Sequence, residues 1–349
     1  MTSATADQAT AVREAHRIDE TKLFAYLAAR VSNLGTNPRV RQFVGGQSNP
    51  TYFLETDSRR LVLRKKPPGT LLPSAHQVER EYRAMSALAG TGVPVPEVLL
   101  LCEDASLIGA GFFVMDFIDG RVFRDAALPE LAPADRTAIY DAATDTLAKL
   151  HGVDYAAVGL GDFGRPGGYA ERQIARWWRQ YEAAIMVPIP EMETLFTWLR
   201  AHLPAADEVA IAHGDFRIEN LIFDPAAPRV RAILDWELAT LGHPLADLAY
   251  LTLNHYIPDE LAQTYGAHGV ATIEGIPSAR AIYERYALAA GLPEPPAMDF
   301  WVALSFFRLA SIAQGICKRV ELGNASAEDA EIRARMAPIL ARLGAGLVG

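Results

Sequence analysis

The pattern of apolar and polar positions divides the chain into two stretches of different character. After a Thr/Ala/Asp/Gln-rich start, apolar residues recur at helical spacing over 18–32 (Leu23, Tyr26, Leu27, Val31). Residues 40–44 and 51–56 read as strands joined by Gly45-Gly46-Gln47-Ser48-Asn49-Pro50, and a third strand, 61–65, comes after the polar turn Asp57-Ser58-Arg59-Arg60. A charged helix is predicted over 75–88, ended by Gly90 and Gly92, and two more β-like runs come next at 97–102 and 112–118. Beyond Asp119-Gly120 the period becomes helical, at 134–150, 170–184, 192–203, 280–290 and 300–320. Short apolar runs at 221–223 and 232–234 interrupt it as a small hairpin would. The predicted organisation is a flexible tail (1–17), an α+β N-terminal part (18–118) and a mostly helical C-terminal part (119–349).

Composition narrows the function classes. A chain of 349 residues can bury two cores. Hydrophobic residues make up 50% and charged residues 21%, the balance of a globular protein. A net charge of −9 argues against nucleic acid as a partner, since a phosphate backbone needs a basic face. The only two cysteines, Cys102 and Cys317, exclude a disulfide framework and a four-cysteine zinc site and suit a reducing compartment. The first 14 residues lack the apolar core of a signal peptide. The most apolar stretch, 301–317, is broken by Arg308, Ser311 and Gln314. The expectation is a cytoplasmic protein with no membrane partner.

The candidate chemistry lies in His213-Gly214-Asp215 and the loop and strands C-terminal to it. Phosphoryl transfer needs a carboxylate to accept the hydroxyl proton, oxygen ligands for a metal, a cation on the phosphates and a cover that excludes water. Asp215 and Asn220 stand five residues apart, the spacing of a kinase catalytic loop, and Asp235 comes after an apolar strand where a second metal ligand would stand. One Asp and one Asn suit Mg²⁺, completed by phosphate oxygens and water. A metal hydrolase using His213, Asp215, Asp235 and His243 is the rival, but it leaves Asn220 and the N-terminal part unexplained.

The N-terminal part supplies candidates for binding ATP. Gly46, Ser48 and Asn49 lie in the turn whose backbone N–H groups could cover phosphates. Along the third strand Leu61, Leu63 and Lys65 share one face, and Val62 and Arg64 the other. Arg64 is the expected phosphate cation, with Lys65 or Lys66 as the fallback. Glu81 shares a helix face with Val78, Met85 and Leu88, pointing it inward as the partner of Arg64, while Glu79 faces out. An adenine would lie along 113–118, using backbone groups near Asp116 and Ile118.

Together these residues make the chain resemble the aminoglycoside phosphotransferase-like branch of the protein-kinase-like fold over roughly residues 20–340. The resemblance rests on His213-Gly214-Asp215 through Asn220, Ile233-Leu234-Asp235-Trp236-Glu237, Leu150-His151-Gly152 and Gly242-His243-Pro244-Leu245-Ala246-Asp247. With Leu63-Arg64-Lys65-Lys66-Pro67-Pro68-Gly69, it is most similar to the kinase-like domain fused to acyl-CoA dehydrogenases in animals and free-standing in bacteria. The resemblance implies a bilobal α+β fold and ATP with Mg²⁺. It implies Asp215 as base, Asn220 and Asp235 as metal ligands, and His213 and Asp247 as braces of the catalytic loop. It favours a hydroxyacyl thioester or related small hydroxy compound as acceptor. An aminoglycoside remains open, as does a nucleotide-binding module without transfer activity. The candidate acceptor residues are Trp177, Trp178, Glu237, Arg308 and Arg319. Arg308 could instead make a buried ion pair, and the two tryptophans could be core.

Overall fold

The computed structural model describes residues 3–4, 8–43, 49–67, 77–259, 261, 269–322 and 330–348, with backbone alone at 3–4 and 330–334. Two compact units emerge, each built from separated segments. The first comprises residues 1–124, 156–160 and 219–239, and the second 125–155, 161–218 and 240–349.

The first unit is organised on a sheet with the strand order Ala9–Thr10, Arg39–Phe43, Thr51–Glu55, Arg60–Lys65, Phe112–Asp116 and Val98–Cys102, every neighbour antiparallel. Strand alternation then sorts the side chains. Tyr52, Leu54, Leu61, Leu63, Phe112 and Val114 are buried on one face against Leu23 and Leu27 of the Glu20–Ala28 helix. Thr51, Val62, Arg64, Phe113 and Met115 line a cavity on the other. A slip of one residue in register would exchange the two sets, so burial of the first set fixes what the cavity displays.

Two expectations are corrected here. The first 17 residues are not simply a tail: Ala9–Thr10 pairs with the edge strand Arg39–Phe43, Ser3–Ala4 pairs with Arg121–Val122, and Tyr52 donates to the His16 carbonyl at 2.7 Å. An open strand edge offers unpaired backbone groups, and this segment pairs with Gln42 and Phe43 at one end of it. The single boundary at 118 also gives way, because the 219–239 hairpin belongs to the first unit. Its strand Leu221–Phe223 pairs with both Val230–Ile233 and Arg121–Val122, and Val122, Ile222 and Ala232 bury one another with Ile118 and Leu234 packed against them.

The second unit is helical. Pro133–His151, Tyr169–Ala184, Pro190–Ala201 and Ala279–Ala290 fall close to their predicted spans. Their ends carry start signals: Pro in the first turn of two of them, and Ser278 accepting from the Ala281 amide. Asp299–Glu321 packs against Tyr169–Ala184, Pro190–Ala201, Pro244–Leu251 and Ala330–Gly346. By length and composition that helix could cross a membrane, but about two thirds of its most apolar stretch is buried inside the protein, as in a core helix. Its buried face includes Phe300, Trp301, Val302, Phe306 and Phe307. The Ala330–Gly346 helix, with Pro338 inside it, and the strand pair Ala210–Ala212 with Thr240–Gly242 were not predicted.

Candidate active site

In the first unit the cavity of about 190 Å³ is bounded by apolar side chains, among them Val62, Phe113, Met115, Phe117 and Ile222, and by a polar group made of Arg64, Glu81, Asn220 and Asp235. Arg64 leaves its strand toward this cavity and Glu81 enters from the Val78–Leu88 helix, whose buried positions Val78, Glu81, Ala84, Met85 and Leu88 keep helical spacing. The two form a close ion pair: Arg64 Nε lies 2.8 Å from Glu81 Oε2 and donates to Oε1 at 3.0 Å. Asn49 Nδ2 donates to the same Oε1 at 3.0 Å. Arg64 Nη2 reaches Asp235 Oδ1 at 2.7 Å and Glu237 Oε2 at 3.8 Å.

Burial alone would lower the Arg64 guanidinium, yet Glu81, Asp235 and Glu237 together hold it above the usual arginine range. Burial pushes the Glu81 carboxyl up, against the opposing pull of Arg64. The fallback cations are otherwise engaged. Lys65 is buried on the opposite face of its strand, and burial draws its ammonium down; Lys66 pairs with Glu79.

The hairpin explains why Asn220 and Asp235 stand together. Pairing of Leu221 with Ile233 places Asn220 opposite Leu234, whose amide donates to the Asn220 carbonyl at 2.8 Å. Asp235 comes next, with φ of 65°, and begins the 3₁₀ turn Trp236–Leu238. Left-handed backbone is uncommon for a non-glycine residue and is tolerated where the surroundings over-determine it. Here the Trp236 indole donates to the Ile233 carbonyl at 3.0 Å and the Asp235 carboxylate holds Arg64.

In the second unit Asp215 sits on the turn after Ala210–Ala212. Asp247, buried to 1% exposure, accepts from the His213 amide at 2.6 Å and the Gly214 amide at 2.8 Å, and its Oδ2 lies 3.3 Å from His151 Nε2. Burial would raise the Asp247 carboxyl, but His151, His213 and the Gly214 amide together hold it below the ordinary value. His213 is fully buried, and its Nδ1 accepts from the Asp215 amide at 3.3 Å. His243 is likewise committed, accepting from the Leu245 amide and stacking on Trp301 at 4.1 Å. The ring nitrogens that the metal-hydrolase alternative would need are therefore in part already engaged.

The remaining candidates divide. Gly46 and Ser48 lie outside the described residues, and Asn49 is buried against Glu81. Asp116 and Ile118 line the cavity, but the Asp116 amide is taken by the Glu97 carbonyl at 2.8 Å and its carboxylate by Arg59 at 2.6 Å. Glu237, the other acidic candidate, belongs to the first unit, where its Oε2 lies 3.8 Å from Arg64 Nη2. Trp177 is buried under the Arg308 guanidinium, 5.5 Å from its ring centre. Trp178 points roughly 100° away around the same helix and stacks on Phe196 at 4.2 Å. Arg319 is exposed in the last turn of the Asp299–Glu321 helix, about 16 Å along the axis from Arg308.

Arg308 donates from Nη1 to the Gly214 carbonyl at 2.7 Å. Sequence reasoning missed Tyr250, whose phenol stands beside the Asp215 carboxylate and is pushed up to about 12 by burial and by that charge. The signal was present: Tyr250 lies three residues after Asp247 and shares its helix face.

Comparison with known proteins gives the family and the fold. The model of the phosphotransferase enzyme family matches residues 39–285. Acyl-CoA dehydrogenase family member 11 of Gallus gallus is 46% identical over 342 residues, covering 95% of this chain but 44% of that protein. The chain thus spans less than half the length of the curated relatives it matches. A crystal structure from Ralstonia eutropha, named after the aminoglycoside phosphotransferases, is 43% identical with a TM-score of 0.85, covering 95% of this chain and 98% of that one. The aminoglycoside phosphotransferase APH(4)-Ia, solved with ADP and hygromycin B, shares the fold at a TM-score of 0.61 and 15% identity, over 93% and 98% of the two chains. The fold is protein-kinase-like, and the chain belongs to the phosphotransferase enzyme family.

Proposed function

We propose that this chain is a small-molecule kinase that moves the γ-phosphoryl group of ATP, with Mg²⁺, to a hydroxyl of a hydroxyacyl-CoA or related small hydroxy compound. The observation that carries the reading is the grouping of Arg64, Glu81, Asn220 and Asp235 at one cavity with an otherwise largely apolar lining. An apolar slot suits a purine, and polar residues that include the fixed Arg64 cation and two oxygen donors suit phosphates with a hard metal. That APH(4)-Ia was solved with ADP supports the same use of a nucleotide here.

In this reading Arg64, oriented by Glu81, neutralises phosphate oxygens, and Asn220 and Asp235 hold Mg²⁺. The metal's contribution is to offset charge on the phosphates. Asp215 accepts the proton of the acceptor hydroxyl, while Asp247 and His213 keep its turn in place.

For the acceptor, Arg308 and Arg217 act electrostatically on Tyr250 beside Asp215, and Arg308, Arg176 and Arg172 act on Tyr169. These four arginines, set against the carboxylates of Asp215 and Asp247 named with them, favour an anionic acceptor over a polycationic aminoglycoside. The name of the Gallus gallus relative points the same way, toward acyl-CoA chemistry.

ADP release measured over hydroxyacyl-CoAs, sugars, choline-like alcohols and aminoglycosides tests the reading. Turnover is expected with the hydroxyacyl-CoAs. Asp215→Asn is expected to lower kcat about 10²- to 10⁴-fold while leaving nucleotide affinity within twofold. A response to aminoglycosides alone would overturn the acceptor assignment, and nucleotide binding without any stimulated ADP release would favour a non-catalytic module.

A further inference from the structure

The turn carrying Asp215 is gripped at both ends of one residue. The Gly214 amide donates to Asp247 and its carbonyl accepts from Arg308. Gly214 has φ of 81°, a backbone state open to glycine at little cost, so this grip holds a conformation that most residues would resist. Asp247 and Tyr250 leave the Pro244–Leu251 helix one turn apart. The first takes the backbone amides and the second reaches the Asp215 carboxylate. The Arg308 guanidinium lies over the Tyr250 ring, 5.0 Å from its centre, as well as over Trp177. Its Nε is buried with no hydrogen-bond partner among the described residues. A carbonyl and two aromatic faces therefore set where Arg308 stands.

We propose that Tyr250 and Arg308 are positioning residues for Asp215: the Tyr250 hydroxyl holds one carboxylate oxygen and leaves the other for the acceptor, while Arg308 fixes the Gly214 carbonyl and the Tyr250 ring. This rests on the reading of Asp215 as the base. The torsion that turns a carboxylate is soft, so a carboxylate without such a donor would spend much of its time misdirected, and orientation is a large part of what an enzyme contributes.

Tyr250→Phe keeps the ring against Arg308 and removes only the hydroxyl. ADP release is followed with Mg-ATP and 3-hydroxybutyryl-coenzyme A, and again with water as the sole acceptor, beside a separate titration of nucleotide binding. The expected result is a fall in kcat of about tenfold to a hundredfold, with the acceptor KM within twofold and nucleotide binding unchanged. A KM raised with kcat intact would make Tyr250 an acceptor-binding residue and overturn the proposal, and so would unchanged constants. Wild-type chain that binds nucleotide yet releases no ADP with either acceptor would sink the phosphotransfer reading instead. Amide exchange then decides the positioning role. Tyr250→Phe and Arg308→Met are each expected to speed exchange at Gly214 and Asp215 by about tenfold, and wild-type rates in both variants overturn it.

Discussion

Glu81→Gln is the sharpest test of how the first unit is built. Glu81 is 1% exposed and the Arg64 side chain 12% exposed, so solvent screens their contact little. With charge centres about 4 Å apart and an effective dielectric near 20, their gross attraction is about 4 kcal/mol. Two effects reduce the loss. Glutamine escapes the several kcal/mol of desolvation that a buried carboxylate bears, the same burial that pushes the Glu81 carboxyl up. Arg64 also retains Asp235 at 2.7 Å. The net destabilisation should be about 1–3 kcal/mol.

Urea unfolding of wild type, Glu81→Gln, Arg64→Met and the double variant isolates the pair, with a coupling of about 1.5–2.5 kcal/mol expected. Nucleotide affinity should fall as well, by about tenfold, because an Arg64 released by Glu81 is drawn further toward Asp235. A coupling below about 0.5 kcal/mol, or an unchanged nucleotide Kd, would refute the claim that Glu81 orients Arg64.

The second unit supplies two more tests. Asp247→Asn leaves one acceptor oxygen for the two amides of His213 and Gly214 and should cost about 2–4 kcal/mol in urea at pH 7. Because the folded Asp247 carboxyl lies below its ordinary value of 3.8, its contribution is present above that pH and lost as the pH falls below it. The variant should therefore differ less from wild type at pH 3 than at pH 7, and an equal difference would count against the network. His243 is drawn down to about 4, chiefly by burial. Its neutral folded form gives full stability above the unfolded value of 6.5, and this is lost as the pH falls, by about 2 kcal/mol at pH 5. His243→Asn keeps a capping acceptor but cannot titrate, so its thermal stability should change less between pH 7 and 5. A wild-type pH dependence in that variant would refute the assignment.

Much of this was legible in the chain because it depends on local geometry. Period-two alternation put Arg64 and Val62 on one strand face, and helical spacing turned Glu81 inward. The intervals from Asp215 to Asn220 and on to Asp235 outlined the candidate site before any contact was known. Helical periodicity located the long helices to within a few residues.

Tertiary structure decided what local windows cannot contain. The 219–239 hairpin joins the first unit because Leu221–Phe223 pairs with Arg121–Val122, about a hundred positions earlier in the chain. The same unit holds Glu237 within 3.8 Å of Arg64. Strands of three residues, such as Ala210–Ala212 and Thr240–Gly242, carry too little pattern to be read and exist through each other's backbone hydrogen bonds. The sheet edge that captured the N-terminal segment and the approach of Tyr250 and Arg308 to the Asp215 turn are of the same kind. Side-chain spacing is set by the local backbone and is therefore written in the sequence. Partners far apart along the chain are chosen by which polar groups and apolar faces remain to be satisfied once the units close, and only the folded structure records that choice.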